Sequence, residues 1–263
     1  MDNLRTYGGE PYDLVLLHGG PGTPRELQPV ARRISISFGI LEPMLLSSSI
    51  KGQIEELHGI INEYCKYPVV FIGHSWGAWL GFIFVSLYPR LAKKLIMIGA
   101  PPFDIKYAND ITDKRLSRLS TEEKKWLSSA QEHINAGPEY DPVIMRRYID
   151  LMIKTDSFDL LPSDNSEIQF YPEVYYKVWE EASQLRKSGK LIEYAGNISC
   201  PVVALHGSHD PHPEEGVRIP LTRALKNFRF ILLEKCGHYP WIERNGRDIM
   251  YKIFYKEIGS TCV

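Results

Sequence analysis

The chain is short of most features that place a protein in a special class. Its four cysteines, Cys65, Cys200, Cys236 and Cys262, are widely scattered and have no metal-ligand spacing. That excludes a disulfide scaffold and a cysteine-based zinc site; reduced thiols in a cytoplasmic protein are expected, with Cys236 read as a small buried hydrophobe. Neither sign of charge is in excess: Lys and Arg total 31, Asp and Glu 32, and the net charge is −1. No basic field is offered to nucleic acid or to an anionic membrane. No apolar run reaches the roughly 18 residues that mark a membrane helix. The opening Met1-Asp2-Asn3-Leu4-Arg5 lacks the basic-then-apolar order of a secretory signal. Repeats and low-complexity tracts are missing as well. What remains is ordinary, 44% hydrophobic and 24% charged. Such a chain can bury the core of one α/β domain with room for one insertion.

Within that composition, short apolar runs alternate with helical segments. Residues 14–17, 38–41, 69–72, 95–98, 202–205 and 228–233 are nearly continuous β-branched and apolar stretches. Strands buried on both faces of a parallel sheet have this character. Ile54, Leu57, Ile61 and Tyr64 recur at helical spacing, residues 78–88 form an apolar helix ended by Pro89, and a last helix is expected after Asn245. The alternation breaks between 101 and 192. There Ser120 with Glu123 reads as a capping box. Asp141-Pro142 reads as a cap and first-turn proline, and Pro172 opens a helix stopped near Gly189. The expected organisation is an α/β core of residues 1–100 and 193–263, with 101–192 as a helical cap over the strand ends. Open α/β sheets bind ligands at those ends.

Three loops carry residue types that can work together. Gly73-His74-Ser75-Trp76-Gly77 follows a strand and precedes a helix, the setting of a serine held on a sharp turn. Serine is a weak nucleophile that needs a base, itself oriented by an acid. His238 lies in the loop after the last strand, and Asp210 just beyond the strand before it. Read alone, His238 is one of eight histidines and Asp210 a turn former before Pro211; Asp104 is a second candidate acid. His74, His206 and His209 read as local structure. Finally, Leu16-Leu17 runs into His18-Gly19-Gly20-Pro21-Gly22, a loop able to aim backbone N–H groups at developing negative charge. A phosphate-binding reading of that loop fails, because neither Gly-Lys-Ser/Thr nor a G-x-G-x-x-G spacing follows.

Taken together these pieces resemble the α/β-hydrolase superfamily along essentially the whole chain. The resemblance implies an α/β-hydrolase fold of six or seven mostly parallel strands, with a helical lid after the fourth. It implies nucleophile Ser75, base His238, acid Asp210 and oxyanion donors Gly20 and Trp76. The expected activity is hydrolysis of an ester or amide in a small molecule or short peptide, with no metal and no cofactor. His18-Gly19-Gly20-Pro21-Gly22, Trp76 and Val178-Trp179-Glu180-Glu181-Ala182 look like the proline iminopeptidase branch. That branch has a lid Trp-Glu whose glutamate binds the substrate's free amino terminus, which implies Trp179 and Glu180 as substrate contacts. Taken alone, Glu180 reads as a solvated charge on a helix face. A non-hydrolytic ligand-binding protein on the same fold is the reading from another class. Family members usually open with an antiparallel hairpin, yet only about a dozen residues precede Leu14. Edge repair or a homodimer is expected to complete the sheet.

Overall fold

The computed structural model describes residues 3–66, 68–135, 141–162 and 168–259. Seven strands form one sheet: β1 (Leu4–Tyr7), β2 (Tyr12–Leu17), β3 (Gly39–Pro43), β4 (Val69–His74), β5 (Ala92–Ile98), β6 (Val202–Gly207) and β7 (Phe228–Leu233). Their order is β1-β3-β2-β4-β5-β6-β7. β1 is antiparallel to β3, with Leu4 opposite Pro43 and Tyr7 opposite Ile40, and every other pairing is parallel. The chain therefore repairs its own edge with four residues that carry no strand signal of their own.

Alternation along the strands divides the core into two layers. Val15, Leu17, Phe71, Leu95, Met97, Val202 and Ala204 face one side. Leu14, Leu16, Val70, Ile72, Ile96, Ile98, Val203 and Leu205 face the other. The first layer is covered by α2 (Ile50–Tyr64) and α3 (Trp76–Leu87); the second is covered by α1 (Gln28–Ile34) and, near the C-terminus, the helix Arg247–Ile258.

Between β5 and β6 the chain is helical: α4 (Ile111–Ser117), α5 (Thr121–Asn135), α6 (Pro142–Asp156), α7 (Pro172–Lys187) and the single turn α8 (Lys190–Glu193). With β1 counted, this insertion follows the fifth strand rather than the fourth. Its helices start where their caps dictate. Ser120 N–H donates to Glu123 Oε2 at 2.9 Å while Glu123 N–H donates back to Ser120 Oγ at 3.2 Å. The Asp141 carboxylate accepts from Val143 N–H and Ile144 N–H, and Gly189 takes the left-handed conformation after α7.

The core resumes with α9 (Glu215–Ala224), and α10 is the closing helix Arg247–Ile258. Pro220 lies inside α9 and has no N–H to give Gly216, four residues back. The freed Gly216 carbonyl accepts Phe103 N–H at 2.9 Å instead, which fastens the start of the insertion to the core. No helix among the described residues is long and apolar enough to cross a membrane. Cys65, Cys200 and Cys236 are free thiols; Cys262, like Met1 and Asp2, lies outside the described residues.

Candidate active site

The strand order places the site. β2 pairs on one side with β3 and on the other with β4, so successive connections leave in opposite directions at β2/β4. A crevice opens beyond the strand ends at such a switch point. Leu17 and Gly73 are register partners there, so the glycine loop after β2 and the serine turn after β4 emerge side by side.

Ser75 has φ 49° and ψ −113°, left-handed backbone that costs a non-glycine residue roughly 1–3 kcal/mol. The turn is held because Ser75 N–H donates to Ile98 O at 2.9 Å. Its flanking glycines are required by close approach. A Cβ on Gly73 would fall 2.2 Å from Gly77 O, and one on Gly77 would fall 2.1 Å from Leu17 O. Trp76 opens α3, so its backbone N–H is among the donors that have no acceptor within the helix.

In the loop after β2, Thr23 N–H donates to Gly20 O at 3.1 Å. Thr23 Oγ1 donates to the Gly19 and Gly20 carbonyls at 2.5 and 2.9 Å. Gly20 itself sits at φ 48°. Glu26 Oε2 accepts Gly19 N–H at 2.6 Å and meets His74 Nδ1 at 2.8 Å.

The loops after β6 and β7 bring Asp210 and His238 together. Both side chains are buried, and His238 Nδ1 lies 2.6 Å from Asp210 Oδ2. A Cβ on Gly99, at the end of β5, would come within 2.8 Å of His238 Nδ1, so the pair is packed against bare backbone. Burial works against the charged form of His238, but the Asp210 carboxylate outweighs it and raises the imidazole above its ordinary value. Burial likewise opposes ionised Asp210; His238, His212 and His206 together hold its carboxyl well below the usual carboxylate range.

Asp104 takes no part in this contact. It is partly exposed, accepts Lys106 N–H at 3.1 Å and pairs with Lys106 Nζ. Cys236 is fully buried, and burial pushes its thiol up.

Ser75, Gly20, His238, His212, Glu26 and Arg115 share one cavity of about 170 Å3. Its outer wall comes from the insertion: Met145, Tyr148, Ile149 and Met152 of α6, with Tyr175 and Trp179 of α7. Trp179 stacks on Trp79 at 6.0 Å between ring centres.

The structure does not bring Glu180, expected from the resemblance as a substrate contact, to the cavity beside Ser75. Glu180 is exposed and lines a separate groove of about 880 Å3 with Ile50, Lys51 and Glu55. The helix explains this. Val174, Val178 and Ala182 form the buried stripe of α7, and Glu180 is two residues, about 200°, around from Val178. Neighbouring Glu181 is occupied, accepting Ile50 N–H at the start of α2 at 2.8 Å.

Four polar residues of the site carry no signal in the sequence. Glu26 braces the glycine loop. His212 donates from its backbone N–H to Asp210 Oδ1 at 2.9 Å and has its ring Nδ1 2.7 Å from the same oxygen. Arg115 holds the buried Asp156 carboxylate through Nε and Nη2, and Asp156 O accepts His238 N–H at 2.8 Å. The ligand atoms of Asp210, His212 and His238 lie within 4.8 Å of one another. Both imidazole Nδ1 atoms there already face separate oxygens of one carboxylate, so the set is a hydrogen-bonded network rather than an open cage for a cation.

The sequence profile of the alpha/beta hydrolase fold matches residues 55–244, from within α2 to just past His238. The chain belongs to the alpha/beta hydrolase fold family. No curated protein matches it at the sequence level. Among solved structures the fold is similar to that of VinJ, with TM-score 0.69 and 18% identity over 97% of this chain and 94% of that one. It is also similar to a thermophilic esterase from Thermogutta terrifontis, with TM-score 0.64 and 18% identity over 98% and 93% of the two chains. The 2-hydroxy-6-oxo-6-phenylhexa-2,4-dienoate hydrolase from a Rhodococcus strain gives TM-score 0.61 and 19% identity over 96% and 92%. At these identities the likeness of this alpha/beta hydrolase to each is one of fold.

Proposed function

We propose that the protein is a serine hydrolase that cleaves a small ester through an acyl-enzyme. His238 deprotonates Ser75, which attacks the substrate carbonyl; His238 then protonates the leaving group and later activates water. Asp210 keeps the ring in the tautomer with Nδ1 protonated, which leaves Nε2 for proton transfer. The N–H groups of Gly20 and Trp76 stabilise the oxyanion, each worth roughly 2.7–4 kcal/mol of barrier. Residues 101–192 act as the lid that shields this chemistry from water. The single observation carrying the reading is the buried 2.6 Å contact of His238 Nδ1 with Asp210 Oδ2, in the cavity that also holds Ser75 on its strained turn.

Cavity size and lining favour a short acyl group. A volume of about 170 Å3 is below the roughly 300–1,000 Å3 that buries drug-sized ligands. The wall that the insertion gives this cavity is methionine, isoleucine and aromatic side chains. An aminopeptidase for N-terminal proline would need an acid above Ser75 free to meet an ammonium. Glu180 lines the other groove, and Glu26 and Asp156 are already partnered. A ligand-binding role without turnover gains nothing from a strained nucleophile turn.

Labelling with a fluorophosphonate, followed by peptide mapping, is expected to modify Ser75. Intact protein after prolonged exposure would refute the mechanism. In a parallel assay, acetyl and butyryl p-nitrophenyl esters are expected to turn over while proline anilides remain inert.

A further inference from the structure

Asp210 is gripped from two sides by two imidazoles, and only His238 has a role in the mechanism above. Oδ2 faces His238. Oδ1 accepts both the backbone N–H and the ring Nδ1–H of His212, at 2.9 and 2.7 Å. His212 is fixed in turn, because its carbonyl accepts Nε2–H of His206 at 2.8 Å. His206 lies buried on β6. A rigid strand thus leads through His206, His212 and Asp210 to His238. A carboxylate turns about its Cβ–Cγ bond; two donors on one oxygen hold the other in place against His238. Pro211 stiffens the step between Asp210 and His212.

We propose that His212 is a positioning residue that fixes the rotation and charge of the Asp210 carboxylate, and so sets how firmly His238 keeps its proton. The proposal rests on the reading of His238 as base and Asp210 as its acid. Burial, against the pull of Asp210, takes the His212 imidazole down to about 4. At neutral pH it is therefore an uncharged donor. It stabilises the carboxylate anion without adding a second positive charge beside His238. Without that donor Asp210 is more basic, and the imidazolium of His238 is held more strongly.

Other titratable and charged groups face the pair from several elements and stay in place when His212 is changed. Near Asp210 these are His206 on β6, and Arg115 and Arg118 at α4. Near His238 they are Asp156 at the end of α6, Arg115, and Glu26 with its partner His74.

The test is the pH profile of kcat/KM on a p-nitrophenyl ester for the wild type, His212→Phe and His212→Asn. Phenylalanine fills the ring's volume without a donor. Its acidic limb is expected to move up by about one pH unit, with kcat lowered about tenfold or more. Asparagine restores a side-chain N–H near the Nδ1 position and is expected to return the limb to within about 0.3 unit of wild type. A role in packing alone would leave the limb of His212→Phe where it is. That result, or an asparagine variant displaced as far as phenylalanine, overturns the proposal. Should His212→Phe not fold, His212→Gln takes its place, since the longer side chain moves the donor off Oδ1; an unmoved limb there also overturns it. Fluorophosphonate labelling of the wild type separates the two readings. An unlabelled Ser75 refutes the serine mechanism itself, whereas a labelled Ser75 with an unmoved limb refutes only the role of His212.

Discussion

His74 Nε2 lies 3.0 Å from the carbonyl oxygen of His238, which ties the residue before Ser75 to the main chain of its neighbouring imidazole. A carbonyl can only accept, so Nε2 carries a proton. Nδ1 meets Glu26 Oε2 at 2.8 Å, and that oxygen also accepts Gly19 N–H. The two side chains therefore share one further proton between them. Burial would raise the Glu26 carboxyl, but His74 beside it, together with the Gly19 N–H, outweighs that and lowers it. This pair of side chains joins the main chain of the glycine loop to the main chain of the His238 loop.

Glu26→Ala leaves Gly19 N–H and the His74 ring without their acceptor. Breaking a buried pair costs roughly 3–5 kcal/mol. The 11% exposure of the Glu26 side chain lowers the expectation to about 2 kcal/mol. The melting temperature, followed by circular dichroism, is expected to fall by roughly 4–8 °C. A melt within one degree of wild type, on the order of experimental error, would show that the contact is not maintained in solution.

Ser75→Gly removes both the proposed nucleophile and the positive-φ strain. Relief of roughly 1–3 kcal/mol is partly offset by the greater freedom of glycine in the unfolded chain, roughly 0.5–1 kcal/mol. The expected variant loses ester turnover and fluorophosphonate labelling while melting a few degrees higher, at about 2–4 °C per kcal/mol. A lower melting temperature would mean that the backbone at residue 75 is not strained.

Acid stability follows from His212. Its imidazole falls from 6.5 to about 4 on folding, so below pH 6.5 the unfolded chain binds a proton that the folded chain refuses. Stability drops as pH falls from about 6.5 towards 4. His238 is shifted the other way, and its contribution is fully present throughout that window, fading only as pH rises through its folded value. Urea unfolding at pH 7 and pH 4.5 is expected to differ less in His212→Asn than in wild type, by roughly 2–3 kcal/mol. Equal differences in the two proteins would refute the assignment.

Trp179→Ala removes the indole that stacks on Trp79 and walls the Ser75 cavity. With the wall opened, kcat/KM for octanoyl p-nitrophenyl ester is expected to rise relative to the acetyl ester, on the order of tenfold. An unchanged acyl-length profile would mean that Trp179 does not bound the acyl site.

Much of this fold can be read from local patterns. Buried parallel strands such as Val69–His74 are continuous apolar runs, so their positions follow from composition. Ser120-Glu123 and Asp141-Pro142 mark helix starts because a cap is a contact between residues two or three apart. β1 is illegible by the same logic. Leu4–Tyr7 has neither period nor run, and it is a strand only because β3 presents an open edge. Glu180 is no more legible: its neighbour Trp179 lines the Ser75 cavity, while the helix turns Glu180 to a separate groove.

Residue type and order along the chain determined the architecture, the serine turn with its two glycines, and the short list from which Asp210 and His238 come. Each of these is encoded in contiguous stretches where backbone sterics or burial period act locally. Only the folded chain decided which groups surround them. Glu26, His74, His206, His212 and Asp156 meet the site through hydrogen bonds spanning two to 164 positions. Such bonds form only when strand order brings loop ends together, and loop residues carry no periodicity that would announce their partners.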